Sequence, residues 1–304
     1  MSIIFGPVAS RRFGKSLGID LSPGRKQCNF DCVYCELEPA KPMERYEEVL
    51  SVEAIVTAVA EGLKTHGDID VLTVTANGEP TLYPRLEELM AALERIKGPI
   101  RTLILSNAST IDRPEIRRAL QRFDTVKLSL DCATSRCFKR IDRPHPSIDL
   151  DAIKTGMLAF RREYRGALIV EVLVVGGIND RPAEMEALNA YFMTLRPDRI
   201  DLGTIDRPPA YRVSPVSYEK LRELSLCFDP SLRLHITSRK NLGGITPSSY
   251  SSEEILDTLR KRPLTPEDIT LLFDSESRKR LEHLREKGAI RLEENHGVKF
   301  YLPA

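Results

Sequence analysis

The run Cys28-Asn29-Phe30-Asp31-Cys32-Val33-Tyr34-Cys35 constrains this chain more than any other stretch, because three of its six cysteines stand there in a C-x3-C-x2-C spacing. Three thiolates offered by one loop make a metal or cluster site, since soft sulfur ligands select iron–sulfur, zinc or Cu(I). Structural zinc takes four closed ligands, commonly as two short pairs, and neither a second pair nor a nearby histidine completes such a set here. A cubane iron–sulfur cluster on three protein thiolates would leave one iron open, and an open iron is a place for chemistry. Buried structural cysteines or an incidental zinc loop are the plainer readings, and this spacing is not a usual zinc spacing.

A length of 304 residues allows one large domain, or one plus a small one, with ample core. Hydrophobic residues at 41% and charged residues at 29% are ordinary for a soluble globular protein. A formal net charge of +1 gives no global pull towards nucleic acid or an acidic membrane. The first residues, Met1 to Pro7, lack an apolar segment of signal-peptide length. The greasiest run, Ala167 to Val175, is half a membrane span and carries Glu171, so it reads as a buried strand. Clustered thiols without an export signal fit a reducing cytosol, so the expected location is cytoplasmic with no membrane partner.

Short Val/Ile/Leu runs alternate with amphipathic stretches along the chain. Strands are expected at 17–21, 71–75, 102–105, 126–130, 168–175 and 199–203, and helices at 51–64, 84–97, 113–122, 149–162, 183–195 and 217–227. Ser51 reads as an N-cap, with Ile55, Val59 and Leu63 on one helix face. Six such βα units predict an α/β fold, a partial (β/α)6 TIM-type barrel with a parallel sheet.

In a βα barrel, working residues gather at the C-terminal ends of the strands. Those ends hold the cysteine loop, Asn77-Gly78-Glu79-Pro80, Ser106-Asn107, Ser129 and Asp131, Gly176-Gly177, and Thr204 to Arg207. Ser, Asn and Gly also end strands for ordinary turn reasons. Five polar ends beside one cysteine loop make a site the better reading.

The chain resembles the radical S-adenosylmethionine (radical SAM) enzymes, through C-x3-C-x2-C with Tyr34 before the last cysteine and through Thr75-Ala-Asn-Gly-Glu-Pro-Thr-Leu82. The second stretch is similar to the family's glycine-glycine-glutamate-proline motif, with Asn77 in place of the first glycine. The resemblance implies a 4Fe-4S cluster on Cys28, Cys32 and Cys35, with S-adenosylmethionine (SAM) bound beside it. It gives Gly78 and Glu79 to the methionine ammonium, Tyr34 to the adenine, and Ser129 to the ribose or carboxylate. Asn77, Asn107 and Asp131 are carried over as further contacts. A narrower likeness, to the wyosine-synthetase-like group of iron–sulfur oxidoreductases, rests on Gly6 to Ile19, Asn77 to Leu82, Ile141-Asp-Arg-Pro-His-Pro146 and Asp206-Arg-Pro-Pro209, and covers roughly residues 5–240. The tRNA wyosine synthetases carry a second cluster on upstream cysteines, and no cysteine precedes Cys28 here.

Cys132 and Cys137 follow the fourth strand and could serve as ligands or a redox pair, or as small buried hydrophobes. Arg11, Arg12, Lys15, Arg25 and Lys26 stand against Asp20 alone before the cluster loop. That balance suits steering of a phosphate, of SAM's carboxylate or of an acidic electron donor such as flavodoxin or ferredoxin, and suits a solvated loop equally.

The tail changes register. Helices are expected from Ser252, from Thr265-Pro266 and from Ser275 or Ser277, the last ending at Gly288. A hairpin of 289–292 with 298–302 follows. Three helices and a hairpin read as a winged helix, so two domains are expected, a barrel at 1–245 and a winged helix at 246–304. Residues 251–304 carry ten Lys/Arg against eleven Asp/Glu. Nucleic-acid binding relies on phosphate neutralisation, so the tail suits docking of a protein or presentation of a substrate. The enzyme reading is that SAM is cleaved reductively to a 5′-deoxyadenosyl radical, which abstracts hydrogen from an RNA base or a protein or peptide substrate. The other reading is a non-catalytic iron–sulfur sensor gating a nucleic-acid-binding winged helix, and such a sensor has no use for a SAM motif.

Overall fold

The computed structural model describes residues 2–10, 13–237, 247–261, 263–295 and 298–304. In chain order the elements are β1 (Ile4–Ser10), β2 (Gly14–Asp20), α1 (Val52–Thr65), β3 (Val71–Thr75), α2 (Leu86–Leu93), β4 (Arg101–Ser106), α3 (Pro114–Leu120), β5 (Thr125–Ser129), α4 (Ser135–Ile141), α5 (Leu150–Glu163), β6 (Ala167–Val174), α6 (Pro182–Leu195), β7 (Arg199–Thr204), α7 (Tyr218–Ser225) and β8 (Leu234–Ile236). The tail adds α8 (Ser252–Lys261), α9 (Pro266–Leu272), α10 (Ser275–Glu286), β9 (Ile290–Asn295) and β10 (Val298–Pro303).

Local chemistry starts these helices where it should. Ser51 accepts from the Ala54 amide at 3.1 Å and opens α1, which buries Val52, Ile55 and Val59. Asp149 does the same for α5 through Ala152 at 3.1 Å. In the tail, Thr265 and Asp268 form a reciprocal capping box with Pro266 next in line.

The strands join in sequence order, β1 to β8, in one sheet. From β2 onward every pair is parallel and is connected through a helix, which gives six βα crossovers around a partial barrel. The six expected strands are β2 to β7. The six-stranded sheet nevertheless needs correction to eight. β1 adds antiparallel to β2, from Ile4 opposite Ile19 to Ser10 opposite Gly14, with its register shifted between Phe5 and Val8. β8 is a three-residue strand beside β7. Gly6-Pro7 interrupts the first and the short Leu-His-Ile run hides the second, so neither shows a strand period.

One apolar core runs between the sheet and α1–α7, with Leu72, Val74, Ile104, Val126, Val170 and Leu202 wholly buried. A second cluster joins Tyr250, Ile255, Leu259, Ile269, Phe273 and Leu281 in the tail, where the Tyr250 and Phe273 rings lie 4.6 Å apart. The expected domain boundary at 245/246 falls at the edge of 238–246, outside the described residues, as does part of the turn between β9 and β10. The tail touches the barrel through β1 and its neighbours. Tyr250 Oη donates to the Pro7 carbonyl, the Ser2 amide to Asp257 at 3.1 Å, and His66 Nε2 lies 3.4 Å from Glu254. Among the described residues no helix is long and apolar enough to cross a membrane.

Candidate active site

β2 ends at Asp20, whose Oδ1 accepts the Ser22 amide at 2.9 Å and the Asn77 amide at 2.8 Å. One carboxylate oxygen thus ties the end of β2 to the segment after β3. Gln27 then pairs through its main chain across that segment, donating to Asn77 O at 2.8 Å and accepting from the Glu79 amide at 3.0 Å. Gly78, the residue opposite, has φ of +138°, and a Cβ there would meet Gln27 O at 1.9 Å. Glycine is required by both conformation and space. The Gln27 side chain is buried and satisfied at every site, giving to Ser22 Oγ and Glu48 O at 2.9 Å each and accepting the Glu47 and Glu48 amides at 2.8 and 3.0 Å.

Cys28 follows directly. Its sulfur receives the Phe30 amide at 3.4 Å and Asn107 Nδ2 at 3.7 Å. Lys26 Nζ approaches Cys35 at 3.7 Å, and the Cys32 thiol donates to Asp142 at 3.5 Å. Burial pushes the Cys28 thiol up to about 12, and raises Cys32 and Cys35 as well. Protonated buried thiols become ligands when a metal displaces their protons. N–H donors aimed at the sulfurs of Cys28 and Cys35 suit an iron–sulfur cluster, whose potential such hydrogen bonds tune.

The carried-over SAM residues divide into three kinds. Tyr34 and Asn77 line a cavity of about 1000 Å³. Tyr34 Oη also donates to Asp131 Oδ2 at 2.6 Å, while Asp131 Oδ1 accepts the Leu173 amide at 2.7 Å. Asp131 is buried, which raises its carboxyl above the usual range. Asn107 is committed to the cluster loop, donating to Asn29 Oδ1 at 3.0 Å as well as to Cys28. Ser129 stands half-buried at the end of β5, in register with Glu171.

Glu79, whose carboxylate the resemblance gives to an ammonium, is 1% exposed and bonded within the protein. Oε1 accepts Thr81 N, Thr81 Oγ1 and Ser106 Oγ at 2.9, 2.6 and 2.7 Å, and Oε2 accepts the Asn107 amide at 2.7 Å. Three of these donors meet Oε1 and one meets Oε2. Glu79 thus joins the motif to the end of β4.

Cys132 and Cys137 are bonded to each other, and both are buried. The adjacent Glu184 carboxylate is taken by the Ala133 and Thr134 amides at 2.6 and 2.9 Å. These groups pin the entry to α4, a helix the sequence reading omits, and they stand apart from the cluster ligands. Most of the basic segment is also spoken for. Arg25 pairs with Glu47 and Glu48, Lys26 lies 3.9 Å from Asp31, and Lys15 Nζ meets Gly67 O, while Arg11 and Arg12 lie outside the described residues.

Several functional neighbours carry no local motif. Lys127 bonds Glu171 and lies 3.5 Å from Asp201, which Arg199 holds at 2.8 Å; the cluster spans β5 to β7 inside the barrel. Lys127 and Glu171 each sit as one charge in an apolar strand, and Arg199 and Asp201 share β7, a signal the sequence offers. Arg207 holds Glu36 at 3.1 Å, and the Ala210 amide donates to Cys35 O at 2.9 Å, so the segment after β7 closes over the cysteine loop.

The family model of the radical SAM superfamily matches residues 25–188, more than half of the chain. The chain belongs to the radical SAM superfamily. A Helicobacter pylori relative, a UPF0026 protein, is 42% identical over 300 residues, covering 98% of this chain and 97% of its own. A UPF0026 protein of Methanocaldococcus jannaschii is 33% identical over 282 residues, covering 90% and 87%. Among solved structures, Streptococcus suis SuiB bound to the precursor peptide SuiA superposes with a TM-score of 0.57 at 17% identity, over 73% of this chain and 48% of SuiB. That likeness is one of fold, and the chain spans about half of SuiB. Radical SAM proteins use a 4Fe-4S cluster and SAM, which agrees with the donor set at Cys28, Cys32 and Cys35.

Proposed function

We propose that the protein is an enzyme that cleaves SAM reductively and uses the resulting radical to take hydrogen from a substrate held in the barrel. Bound on Cys28, Cys32 and Cys35, the cluster would supply the one-electron reduction that breaks SAM's S–C5′ bond, with methionine as the other product. The observation that carries this reading is the main-chain lock of Gln27 to Gly78. It sets the motif after β3 directly against the first cluster cysteine. In such a site the Asn77–Glu79 backbone receives SAM's ammonium, Tyr34 bounds the adenine, and Ser129 and Asp131 lie towards the ribose. Asn107, the Phe30 amide and Lys26 hold the sulfurs. The segment at Arg207 and Ala210 keeps water from the cysteine loop.

The large cavity beside Tyr34 and Asn77 gives the substrate a place, which a sensor does not need. Its walls mix aliphatic groups such as Leu105 and Leu173 with paired charges such as Lys127 and Glu171, suited to a substrate with apolar and charged parts, an RNA base or a peptide segment alike. We read 246–304 as a winged-helix domain on a barrel at 1–245. Support comes from α8–α10, the β9–β10 hairpin and the extra pairing of Leu264 with Tyr301. Lys279 pairs with Glu276, and Arg280 donates to Tyr250 O at 2.9 Å. The balance of ten Lys/Arg against eleven Asp/Glu over 251–304 favours docking of a protein. A low-potential donor such as flavodoxin or ferredoxin and a cytoplasmic location complete the proposal. Cluster-loaded protein, given a strong reductant and SAM without air, should form 5′-deoxyadenosine. Its absence returns the sensor reading.

A further inference from the structure

The cavity that begins at Tyr34, Cys35 and Asn77 does not end within the barrel. Its far wall is α8 of the tail, which contributes Asp257, Arg260 and Lys261. Lys261 reaches furthest in. Its side chain is 12% exposed, its Nζ stands 3.2 Å from Asp20 Oδ2 and donates to Ser2 O at 2.5 Å, and it lies 4.8 Å over the Phe5 ring. Asp20 is 1% exposed, and its other oxygen holds the Asn77 amide.

We propose that α8 is a working wall of the reaction cavity and that Lys261 is a positioning residue, holding Asp20 so that Asp20 presents Asn77 and Gly78 to SAM. This rests on reading that motif as the SAM site. A cation held on one carboxylate oxygen fixes the plane in which the other oxygen accepts, and charge-assisted bonds are the strong ones. Loss of the Lys261 charge therefore weakens the bond from the Asn77 amide, and through Asn77 O and the Gln27 amide the change reaches the residue before Cys28. The other tail contacts, from Tyr250 to Pro7 and from Glu254 to His66, touch neither Asp20 nor Asn77. Through Lys261 the tail is coupled to the cofactor site, beyond any docking role of its outer face.

The test measures the dissociation constant of SAM on full-length, cluster-loaded protein, together with iron content and melting temperature. Lys261→Met should weaken SAM binding about tenfold, as expected for losing a hydrogen bond to a charged group, with iron content unchanged. Lys261→Arg should stay within about twofold of the wild type, because it restores the charge. Tyr250→Phe loosens docking without touching Asp20 and should also stay within about twofold. Asp20→Asn should weaken binding as Lys261→Met does, and the double variant no further than either alone. It also serves as the test should Lys261→Met fail to fold. Wild-type affinity in Lys261→Met or Asp20→Asn, or an equal loss in Tyr250→Phe, overturns the proposal. Wild-type protein that loads its cluster and binds no SAM overturns the SAM-site reading itself, a result seen before any variant is compared.

Discussion

Gly78 and Gln27 meet backbone to backbone, so closely that a methyl group on Gly78 would overlap the Gln27 carbonyl. The contact joins the cysteine loop to the segment after β3. It is where cluster chemistry and SAM chemistry share one piece of main chain.

Gly78→Ala should therefore damage both. Its φ of +138° is strained for any side chain, and the carbonyl has no room to yield without breaking the Glu79 amide bond. A loss of about 1–3 kcal/mol in stability is expected, together with weaker SAM binding. Urea unfolding and SAM titration check both, and a variant as stable as the wild type would show that the two segments are not locked.

Glu79→Gln separates two roles for that side chain. An amide keeps one oxygen but turns an NH2 towards groups that now donate, leaving buried donors unmatched. Stability should fall by about 1–3 kcal/mol, in protein with or without SAM. A loss of SAM affinity at unchanged stability would show instead that the carboxylate faces the ligand.

The fold was legible where one strand carries its own signal. β2 to β7 are runs of Val, Ile and Leu, each followed by an amphipathic stretch, and Ser51 and Thr265 announce their helices. β1 and α4 lack that pattern, since Gly6-Pro7 breaks one and the other is seven residues long. The cysteines and the Asn77 motif were legible because their partners are near in sequence. Asp20 and Lys261 were not, because their meeting depends on where the tail docks. The partners of the Glu79 carboxylate were hidden for a similar reason, as Ser106 ends the next strand and Asn107 follows it.

Lys127 offers a test of the interior charges. Lys127→Met keeps the length of the side chain but removes a cation from Glu171 and Asp201 within the barrel. A cost of about 1.5–3 kcal/mol is expected for losing hydrogen bonds to charged groups, with iron content unaffected. Chemical denaturation measures it, and a neutral outcome would mean that Arg199 alone suffices for Asp201.

Cluster loading should depend on three cysteines and no others. Changing Cys28, Cys32 or Cys35 to Ala should remove most iron and sulfide from reconstituted protein, since a thiolate ligand has no substitute nearby. Cys227→Ala should leave both unchanged, because Cys227 lies by α7, away from the loop. Iron retained without Cys35 would point to a different ligand set.

The paramagnetic resonance spectrum of the reduced cluster, recorded with and without SAM, tests the central claim most directly. If the cysteine loop and the Asn77–Glu79 motif form one site, SAM should change the spectrum of wild-type protein, and Gly78→Ala should blunt that change at the same cluster content. An identical spectrum with and without saturating SAM would contradict the account, because a SAM molecule held at this motif lies against the cluster's own loop.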